Sequence, residues 1–410
     1  MNILIVCDYF LDYLGGAQTA IAAQAAALRE AGHDVTVVAP GRRRKPATGA
    51  SSTSHLEWNA RVVLPVLDMA VVRNSRATRS RLDALVVELG IDVVHVHSEF
   101  GLAVAALEVA ASRGIAGVHT VHTLYWRSGV RSSRLLACVI RGLHRWATGL
   151  TSPTIRLCDN EIDNAMRGLT LATAVRADVV VSPSAHQAKD LRAAGVRNVA
   201  PVANCVPPET GSFAQPVLRT AGPLRVLWIG RCIPEKRAAE FAEAAALACE
   251  IVGQDALQVT IAGEGPLLPG IRTIAKRTRG IRVLGRVNGS VVARLLADHD
   301  VTALTSHGYD NQPMTVAESI SALRGVIYVD AQIREGVDSA GIFVDDPTVE
   351  GMAAALVLLA QDSRPVERAS AHAVAARGIF SSTAHASSLE EIYRTVLRDQ
   401  HALPLAAVAS

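Results

Sequence analysis

The stretch VTALTSHGYDNQPMTVAESISALRGVIYV, from Val301 to Val329, carries the clearest architectural pattern in this chain. Val301 to Leu304 is a short apolar strand that runs into a polar turn. Pro313 suits the first turn of a helix, because the N–H that it lacks has no helical partner there. Apolar positions recur at helical spacing over 314–321, and 326–329 forms the next buried strand. The pattern therefore predicts a strand, a loop, a helix and a strand, as in a parallel sheet.

Two carboxylates flank the start of this predicted helix. Asp310 lies in the loop before it, and Glu318 lies inside it. Ligands bind at the carboxyl ends of parallel strands in open α/β sheets, and the N–H groups of a helix N-terminus attract anions. The stretch therefore predicts an anion site beside an acidic pair. The alternative is a solvated loop before an ordinary amphipathic helix.

An acid, seven residues and then Glu, on a strand-loop-helix, resembles the signature of the retaining nucleotide-sugar glycosyltransferases of family 4. The first acid of that signature is usually Glu, and DNQPMTVAES is similar to a subgroup with Asp-Asn in its place. Leu323 and Gly325 depart from the family, which usually has Gly and Pro there. The resemblance extends from Met1 to about Arg398. It implies an α/β GT-B fold, with two doubly wound Rossmann-like domains facing an interdomain cleft.

Composition agrees with a large cytoplasmic α/β protein. Half of the 410 residues are apolar, 19% are charged, and the net charge of +3 is too small to indicate a nucleic-acid binder. Six scattered cysteines without a CxxC pair indicate reduced thiols rather than a zinc or disulfide framework. Met1 starts directly at a strand, and no apolar run reaches the roughly 18 residues that span a bilayer.

The amino-terminal half begins with a strand, glycine turn, helix and strand. Asn2 to Cys7 is the first strand, and Gly15-Gly16 opens a helix to Ala31. The full GxGxxG fingerprint is absent, which disfavours a nicotinamide site. The resemblance places Gly15 and Gly16 beneath the donor phosphates. The alternative is a tight turn whose glycines adopt positive φ. We further expect a surface loop over 40–59 with the basic run Arg42 to Lys45, which could attract phosphate or an anionic membrane, and a third strand over 61–65.

Three histidines lie within or directly after predicted strands of this half. His95 and His97 are two residues apart in the strand 92–97 and therefore point to the same face of it. A metal site there lacks further ligands in the sequence, so packing or hydrogen bonding is expected. His122 emerges from the strand 117–121, where the resemblance implies the active-site histidine that contacts the sugar. By itself a lone histidine is more often a core residue.

The segment 126–151 combines an apolar stripe with positive charge. The stripe comprises Leu135, Leu136, Val139, Ile140, Leu143 and Trp146, and the basic residues are Arg131, Arg134, Arg141, His144 and Arg145. This profile is typical of an interfacial membrane helix, although amphipathic helices usually face their own core. Similar segments occur in lipid-glycosylating members of the family.

A Pro- and Gly-containing stretch at 206–222 predicts a linker between an acceptor domain, 1–205, and a donor domain, 223–380. A final helix at about 381–398 is expected to pack back on the first domain. In the donor domain, the strand 224–229 leads into GRCIPEK, which matches the family's GR-x-x-x-EK at Arg231 and Lys236. GEGP at 263–266 matches its GxGP turn.

The resemblance implies a role for each candidate residue, and no metal or cofactor. Asp310 orients the sugar, Glu318 holds the ribose, His122 contacts the sugar, and Arg231 and Lys236 bind the diphosphate of a donor such as UDP-glucose or GDP-mannose. The remaining donor-binding candidates are Gly15, Gly16, Gly263, Glu264, Asn311, Gln312, Pro313 and Met314, with backbone N–H groups near 311–313 contacting phosphate.

Acceptor and location remain open in the sequence. The acceptor alcohol is a membrane lipid, a glycan or a small soluble metabolite, and a lipid acceptor would place the protein at the inner face of the plasma membrane. Two other classes remain: a non-catalytic GT-B protein that binds a sugar nucleotide, and an epimerase acting on the nucleotide sugar itself.

Overall fold

The computed structural model describes residues 1–11, 15–41, 55–59, 62–64, 69–125, 127–153, 155–219 and 222–402. The basic run 42–45, Trp126 and the tail after 402, on which sequence-based expectations also fall, lie outside these ranges. The chain divides into two compact units: Met1–Ala203 with Ser382–Ser410, and Asn204–Ser381. The stretch 206–222 groups with the second unit, and the final helix groups with the first.

The first unit is built on a parallel sheet of order β3-β2-β1-β6-β7-β8-β9. Its strands are β1 (Asn2–Val6), β2 (Asp34–Gly41), β3 (His55–Asn59), β6 (Val93–Val96), β7 (Ala116–Thr120), β8 (Val179–Ser182) and β9 (Val199–Pro201), with a separate antiparallel pair β4 (Val62–Leu64) and β5 (Met69–Val71). The helices are α1 (Gly16–Glu30), α2 (Arg76–Glu88), α3 (Gly101–Arg113), α4 (Arg134–Thr148), α5 (Glu161–Ala174), α6 (Ala185–Ala193) and α14 (Ser382–Ala402). The central strands are apolar runs because helices cover both faces of the sheet.

The third strand of this sheet is not where the sequence analysis placed it. The structure has His55–Asn59 pairing with β2, inside the segment expected to be a surface loop, whereas 62–64 pairs with β5 outside the sheet. Trp58 is buried, and the guanidinium of Arg81 lies 4.2 Å from the centroid of its ring. An edge strand with one buried residue and polar neighbours carries little apolar signal, which is why the pattern missed it.

The second unit has a parallel sheet of order β12-β11-β10-β13-β14-β15. Its strands are β10 (Leu224–Ile229), β11 (Leu257–Ala262), β12 (Ile281–Gly285), β13 (Val301–Leu304), β14 (Gly325–Tyr328) and β15 (Gly341–Phe343). Its helices are α7 (Ala238–Val252), α8 (Leu268–Arg277), α9 (Gly289–Asp298), α10 (Met314–Ser321), α11 (Val337–Ala340), α12 (Val349–Gln361) and α13 (Arg364–Ala376). The core of this unit is centred on side chains such as Trp228, Phe241 and Leu356.

Candidate active site

The topology of the second unit brings the two predicted donor-binding loops together. β10 and β13 are neighbouring parallel strands, with Trp228 paired opposite Ala303. The chain therefore leaves both strands at the same edge of the sheet, which is where open α/β sheets bind ligands. The loop after β10 carries Arg231 and Lys236, and the loop after β13 carries Asp310.

Charged side chains of these loops contact one another directly. Lys236 donates a hydrogen bond from Nζ to Oδ1 of Asp310, and Ser306 donates from Oγ to Oδ2 of the same carboxylate. Tyr309 lies beside them: its hydroxyl accepts a hydrogen bond of 3.2 Å from Nη2 of Arg231, and its ring centroid is 5.4 Å from Nζ of Lys236. The structure thus assembles Arg231, Lys236 and Asp310 in one cluster, with Ser306 and Tyr309 as members that sequence reasoning missed.

Two consecutive hydrogen bonds connect the backbone of Lys236 with strand β10. Trp228 donates from Nε1 to Oγ1 of Thr305 at 3.0 Å, and Thr305 donates to the carbonyl of Lys236 at 2.8 Å. Arg237, which follows, has a φ of +53° and donates to the carbonyl of Pro347. A left-handed arginine is strained, and such strain is found where the surrounding structure fixes a functional loop. The position of Lys236 is therefore determined by contacts with the sheet.

The glycine turn after β11 packs against the loop after β10. Gly263 has a φ of +155°, and a Cβ built on it would lie 1.8 Å from the carbonyl oxygen of Gly230. The backbone N–H of Cys232 donates to the carbonyl of Glu264 at 2.8 Å. Only glycine permits this approach, so GEGP holds the Arg231 loop in place. The Glu264 side chain is half-exposed and pairs with Arg286 at 3.2 Å.

The N-terminus of α10 offers free backbone donors beside the cluster. Pro313 is the N-cap and has no N–H, so it cannot be one of the donors expected near 311–313. The first free donors of the helix are the N–H groups of Met314 and Thr315, for which the described residues give no acceptor. Asn311 and Gln312 are buried, and Gln312 accepts from the backbone N–H of Asn204 at 2.7 Å. Gln312 therefore anchors the loop rather than presenting its oxygen.

Glu318 lies on α10, beyond these donors. Its side chain is partly buried, and no hydrogen bond of the described residues involves its carboxylate. Burial raises the pKa of this carboxyl from 4.5 to about 7. A carboxylate with unused acceptor oxygens is suited to bind a pair of hydroxyl groups. Its perturbed pKa is a further sign of a functional position.

In the first unit, Gly15 and Gly16 start α1 without the left-handed backbone considered as the alternative. Gly15 is the N-cap, with φ −138° and ψ 159°, and Gly16 is the first residue of the helix. The adjoining residues 12–14 are outside the described ranges. Glycine is thus not required here by φ. It leaves the N-terminus of α1 uncovered by a side chain.

His122 follows β7 and contacts a second histidine. Its Nε2 lies 2.9 Å from Nδ1 of His97, and the two rings stack with centroids 5.2 Å apart. Burial lowers the pKa of His122 to about 4, so the ring is neutral near pH 7. His95 and His97 are buried and hydrogen-bonded, as expected from their place on the strand. No group of three or more His, Cys, Asp or Glu within the described ranges is arranged to hold a metal ion.

A buried acidic cluster in the first unit was missed from the sequence. Asp8 accepts hydrogen bonds from the N–H groups of Leu102 and Ala103 at the start of α3, and burial raises its pKa to about 6. Glu99 is also buried and has its pKa raised to about 8, with the Tyr9 hydroxyl at 3.3 Å. The signal available was polar residues directly after two strand ends, at 8–9 and 98–99.

Helix α4 presents its large apolar residues to solvent. Its buried side consists of small side chains and His144, whose Nε2 donates to the carbonyl of Glu99 at 3.0 Å. Leu135 is 78% exposed, Leu143 58% and Trp146 51%. The expected apolar stripe therefore exists, but most of it does not face the core of the unit. No helix in the described part of the chain has the length and apolar character needed to span a membrane.

Comparisons with known proteins bear on the family and the fold of this chain. The family model Glycosyltransferase Family 4 matches residues 14–210. The phosphatidyl-myo-inositol mannosyltransferase of Mycolicibacterium smegmatis is 24% identical over 375 residues, covering 89% of this chain and 86% of that protein. Anabaena Alr3699/HepE in complex with UDP matches with a TM-score of 0.67 at 13% identity, covering 96% of this chain and 100% of that one. Sucrose-phosphate synthase (tll1590) from Thermosynechococcus elongatus matches with a TM-score of 0.68 at 15% identity, covering 97% of this chain and 100% of that one. The amino-terminal half of the chain matches the family 4 glycosyltransferases, and the chain has the GT-B fold of two Rossmann-like domains.

Proposed function

We propose that this protein transfers a hexose from a nucleotide diphosphate sugar to an acceptor hydroxyl, with retention of anomeric configuration. The observation that carries the proposal is the cluster of Lys236, Asp310 and Arg231 beside the N-terminus of α10. Two cations and free N–H donors suit a diphosphate, and the carboxylate suits sugar hydroxyls. Complexes of Anabaena Alr3699/HepE contain UDP and UDP-glucose, which supports a donor of this class.

The chemistry follows from where charge develops. The bond from the anomeric carbon to the diphosphate oxygen breaks, and the acceptor oxygen forms its bond on the same face of the sugar. The departing phosphate oxygen takes the acceptor's proton, so no separate base is needed. Negative charge grows on the diphosphate during this step. Fixed cations and helix N–H groups stabilise that charge more in the transition state than in the bound donor.

The charged candidates, His122 and the first N–H groups of α10 each have a role in this proposal. Arg231, Lys236 and the N–H groups of Met314 and Thr315 bind the diphosphate. Asp310 orients the hexose hydroxyls, Glu318 accepts from the ribose hydroxyls, and His122 of the first unit contacts the hexose. Because Asp is one methylene shorter than the usual Glu, Asp310 is expected to select a different hydroxyl or hold the sugar less closely.

The direct experiment is incubation with a panel of labelled nucleotide sugars, with and without acceptors, followed by NMR assignment of the product anomer. Transfer of an α-linked donor to an α-linked product supports the proposal. A β-linked product would contradict retention. Binding without transfer or slow donor hydrolysis would favour a non-catalytic protein, and an altered nucleotide sugar without acceptor would favour an epimerase.

We further propose that the acceptor is a lipid and that α4 rests on an anionic membrane surface. The exposed Leu135, Leu143 and Trp146 form the apolar face that an interfacial helix inserts. Arg131 and Arg145 are exposed near this face and suit anionic headgroups. The printed name of the Mycolicibacterium smegmatis relative, a phosphatidyl-myo-inositol mannosyltransferase, points to the same acceptor class.

Sedimentation with liposomes tests this second proposal. The protein is expected to pellet with vesicles that contain phosphatidylglycerol and to remain in solution with phosphatidylcholine alone. Exchange of Leu135 and Leu143 for Gln should abolish pelleting. Leu358→Gln is the matched control, because Leu358 is 65% exposed on α12 of the second unit. Equal pelleting of both variants, or binding insensitive to salt, would contradict a membrane role for α4.

A further inference from the structure

A buried hydrogen-bond network in the first unit connects the final helix with His122. It passes through α1, β6, β7 and α14, and all of its contacts lie inside this unit. Its members are Gln24, His95, His97, Thr120, His122, His385 and Tyr393. Each neutral imidazole has one N–H and one acceptor nitrogen. In a chain of hydrogen-bonded imidazoles, the tautomer of one ring therefore determines the tautomer of the next.

Gln24 stands at the branch point of the network. One end of its side-chain amide faces Nδ1 of His95 and Nε2 of His97, each at 3.1 Å. The other end faces Nε2 of His385 at 3.2 Å. His97 in turn contacts Nε2 of His122 at 2.9 Å. The end of the amide that faces His97 therefore determines which nitrogen of His122 carries the proton.

The carbonyl of Ala203 settles the proton position on His385. Nδ1 of His385 lies 2.7 Å from this oxygen, which can only accept, so Nδ1 carries the hydrogen. Burial lowers the pKa of His385 to about 4, so the ring is neutral at pH 7. Nε2 of the neutral ring is then an acceptor and requires an N–H from Gln24. The Gln24 amide oxygen lies opposite Nε2 of His385 and would face the lone pair of that nitrogen. The orientation of a side-chain amide is assigned from its hydrogen-bond partners, and these partners favour the opposite orientation.

The amide is therefore turned by half a rotation, with its oxygen toward His95 and His97. His97 then donates from Nε2 to Gln24, and its Nδ1 accepts from Nε2–H of His122. We propose that Gln24 is a positioning residue that holds His122 as the Nε2–H tautomer, with Nδ1 left as an acceptor for a substrate hydroxyl. The hydroxyl in this statement rests on the proposed function, whereas the tautomer does not.

The other branch of the network fits this arrangement at every group except the Tyr393 hydroxyl. Nδ1–H of His95 is shared between the Gln24 oxygen and the Tyr393 hydroxyl, which is 2.6 Å away, and Thr120 donates to Nε2 at 2.7 Å. The hydroxyl hydrogen of Tyr393 is left without an acceptor in the described part of the chain. With the amide nitrogen of Gln24 toward His95, Nδ1 of His95 could accept the Tyr393 hydroxyl hydrogen. That orientation requires a buried positive charge on His385, because the Gln24 oxygen would then face Nε2 of His385.

NMR of the full-length protein labelled with ¹⁵N-histidine tests the tautomer directly. Long-range ¹H–¹⁵N correlations separate protonated from bare ring nitrogens, and His122→Asn and His97→Asn assign the signals by their loss. Both rings are expected as Nε2–H tautomers. A bare Nε2 with a protonated Nδ1 at His122 would overturn the proposal. This result does not depend on any turnover, so it stands or falls separately from the proposed function.

Two variants of Gln24 extend the test. Glu has only acceptor oxygens, so Gln24→Glu should keep His122 as Nε2–H and move the proton to His385, with donor turnover within about twofold of wild type. Gln24→Leu removes both contacts and should give mixed tautomers at His122, with kcat about tenfold lower and the donor KM within about twofold. Inversion of the His122 tautomer in Gln24→Glu would show that the amide nitrogen faces His97 in the wild type, and would refute the proposal.

Discussion

Nζ of Lys236 donates a hydrogen bond to Oδ1 of Asp310 across neighbouring loops of the same sheet edge. The two opposite charges form an ion pair. A diphosphate that binds here must compete with Asp310 for the ammonium group. The pair therefore links the cation that binds the leaving group with the carboxylate that is proposed to orient the sugar.

Substitution of either partner should separate their roles. Lys236→Met should lower kcat by about 10²- to 10³-fold and weaken nucleotide binding, because a fixed cation on the leaving group is lost. Asp310→Asn should also lower kcat but leave UDP or GDP binding equal or tighter, since the competing anion is gone. Steady-state kinetics and calorimetry measure both. Lys276→Ala, at an exposed position of α8, is the control. Unchanged turnover in Lys236→Met would discard the assignment.

Glu318 should make donor binding dependent on pH. Its pKa of about 7 means that the carboxyl is largely protonated at pH 6 and ionised at pH 8. The ionised form accepts two ribose hydroxyls, so the affinity for UDP-glucose should rise as pH increases through 7. A nucleotide sugar is used because its diphosphate does not titrate in this range. Calorimetry of Glu318→Gln should show a flat profile, and a profile like the wild type would exclude Glu318 as the cause.

The same carboxyl should also affect stability. Because its pKa is raised on folding from 4.5, the folded state holds the proton more tightly than the unfolded state. Its contribution is fully present below pH 4.5 and is lost as pH rises through 7, by roughly 2 kcal/mol after allowance for partial exposure. The free energy of unfolding of Glu318→Gln, from urea titrations at pH 5 and 8, should fall less with pH than that of the wild type. An equal fall in both proteins would contradict the shifted pKa.

Gly263 should not tolerate a side chain. Gly263→Ala places a Cβ 1.8 Å from the Gly230 carbonyl, in a backbone conformation that alanine avoids. We expect a loss of about 3 kcal/mol in unfolding free energy and at least about tenfold weaker donor binding. Gly270→Ala is the matched control, since no atom lies within 4 Å of its Cβ and the site is helical. It should stabilise the protein by up to about 1 kcal/mol. Similar values for the two variants in urea titrations would refute the argument.

Arg324 should be a strong structural anchor of the turn after α10. Its buried guanidinium donates to backbone carbonyls, which are those of Leu296, Ala297, Gln215, Ala322 and Leu323. Arg324→Met removes this donor from all five oxygens, although that of Leu323 still accepts from the Ser370 hydroxyl. The change should cost about 3–5 kcal/mol of unfolding free energy. Arg277→Met, at an exposed position of α8, should change it by less than about 0.5 kcal/mol. A similar small change for Arg324 would show that water replaces the guanidinium.

The turn at Leu323 shows why a departure from the family pattern could be noticed but not interpreted. Leu323 has a φ of +58°, where glycine is favoured, and its side chain is 4% exposed. Burial of a leucine side chain contributes about 1.5–3 kcal/mol, which exceeds the 1–2 kcal/mol cost of a left-handed backbone. The sequence marked this turn as altered. The compensation comes from packing and from Arg324, and neither follows from local spacing.

Elements and residue types could be inferred from the sequence wherever the pattern is local. Apolar runs, helical spacing and the turns GRCIPEK, GEGP and DNQPMTVAES indicated the parallel-sheet units and named Arg231, Lys236, Asp310 and Glu318. Strand β3 was not predicted, because an edge strand with a single buried residue has no such apolar pattern.

The hydrogen-bond partners of the candidate residues and the protonation states of the buried groups depended on tertiary structure. The Lys236–Asp310 bond, the contacts of Thr305 and Tyr309, and the Gln24 network join residues distant in the chain, such as Gln24 and His385. The burial that raises the pKa of Glu318 and the solvent exposure of the apolar face of α4 arise in the same way. Desolvation and hydrogen-bond geometry are set by the whole surroundings of a group, whereas periodicity records only its neighbours along the chain.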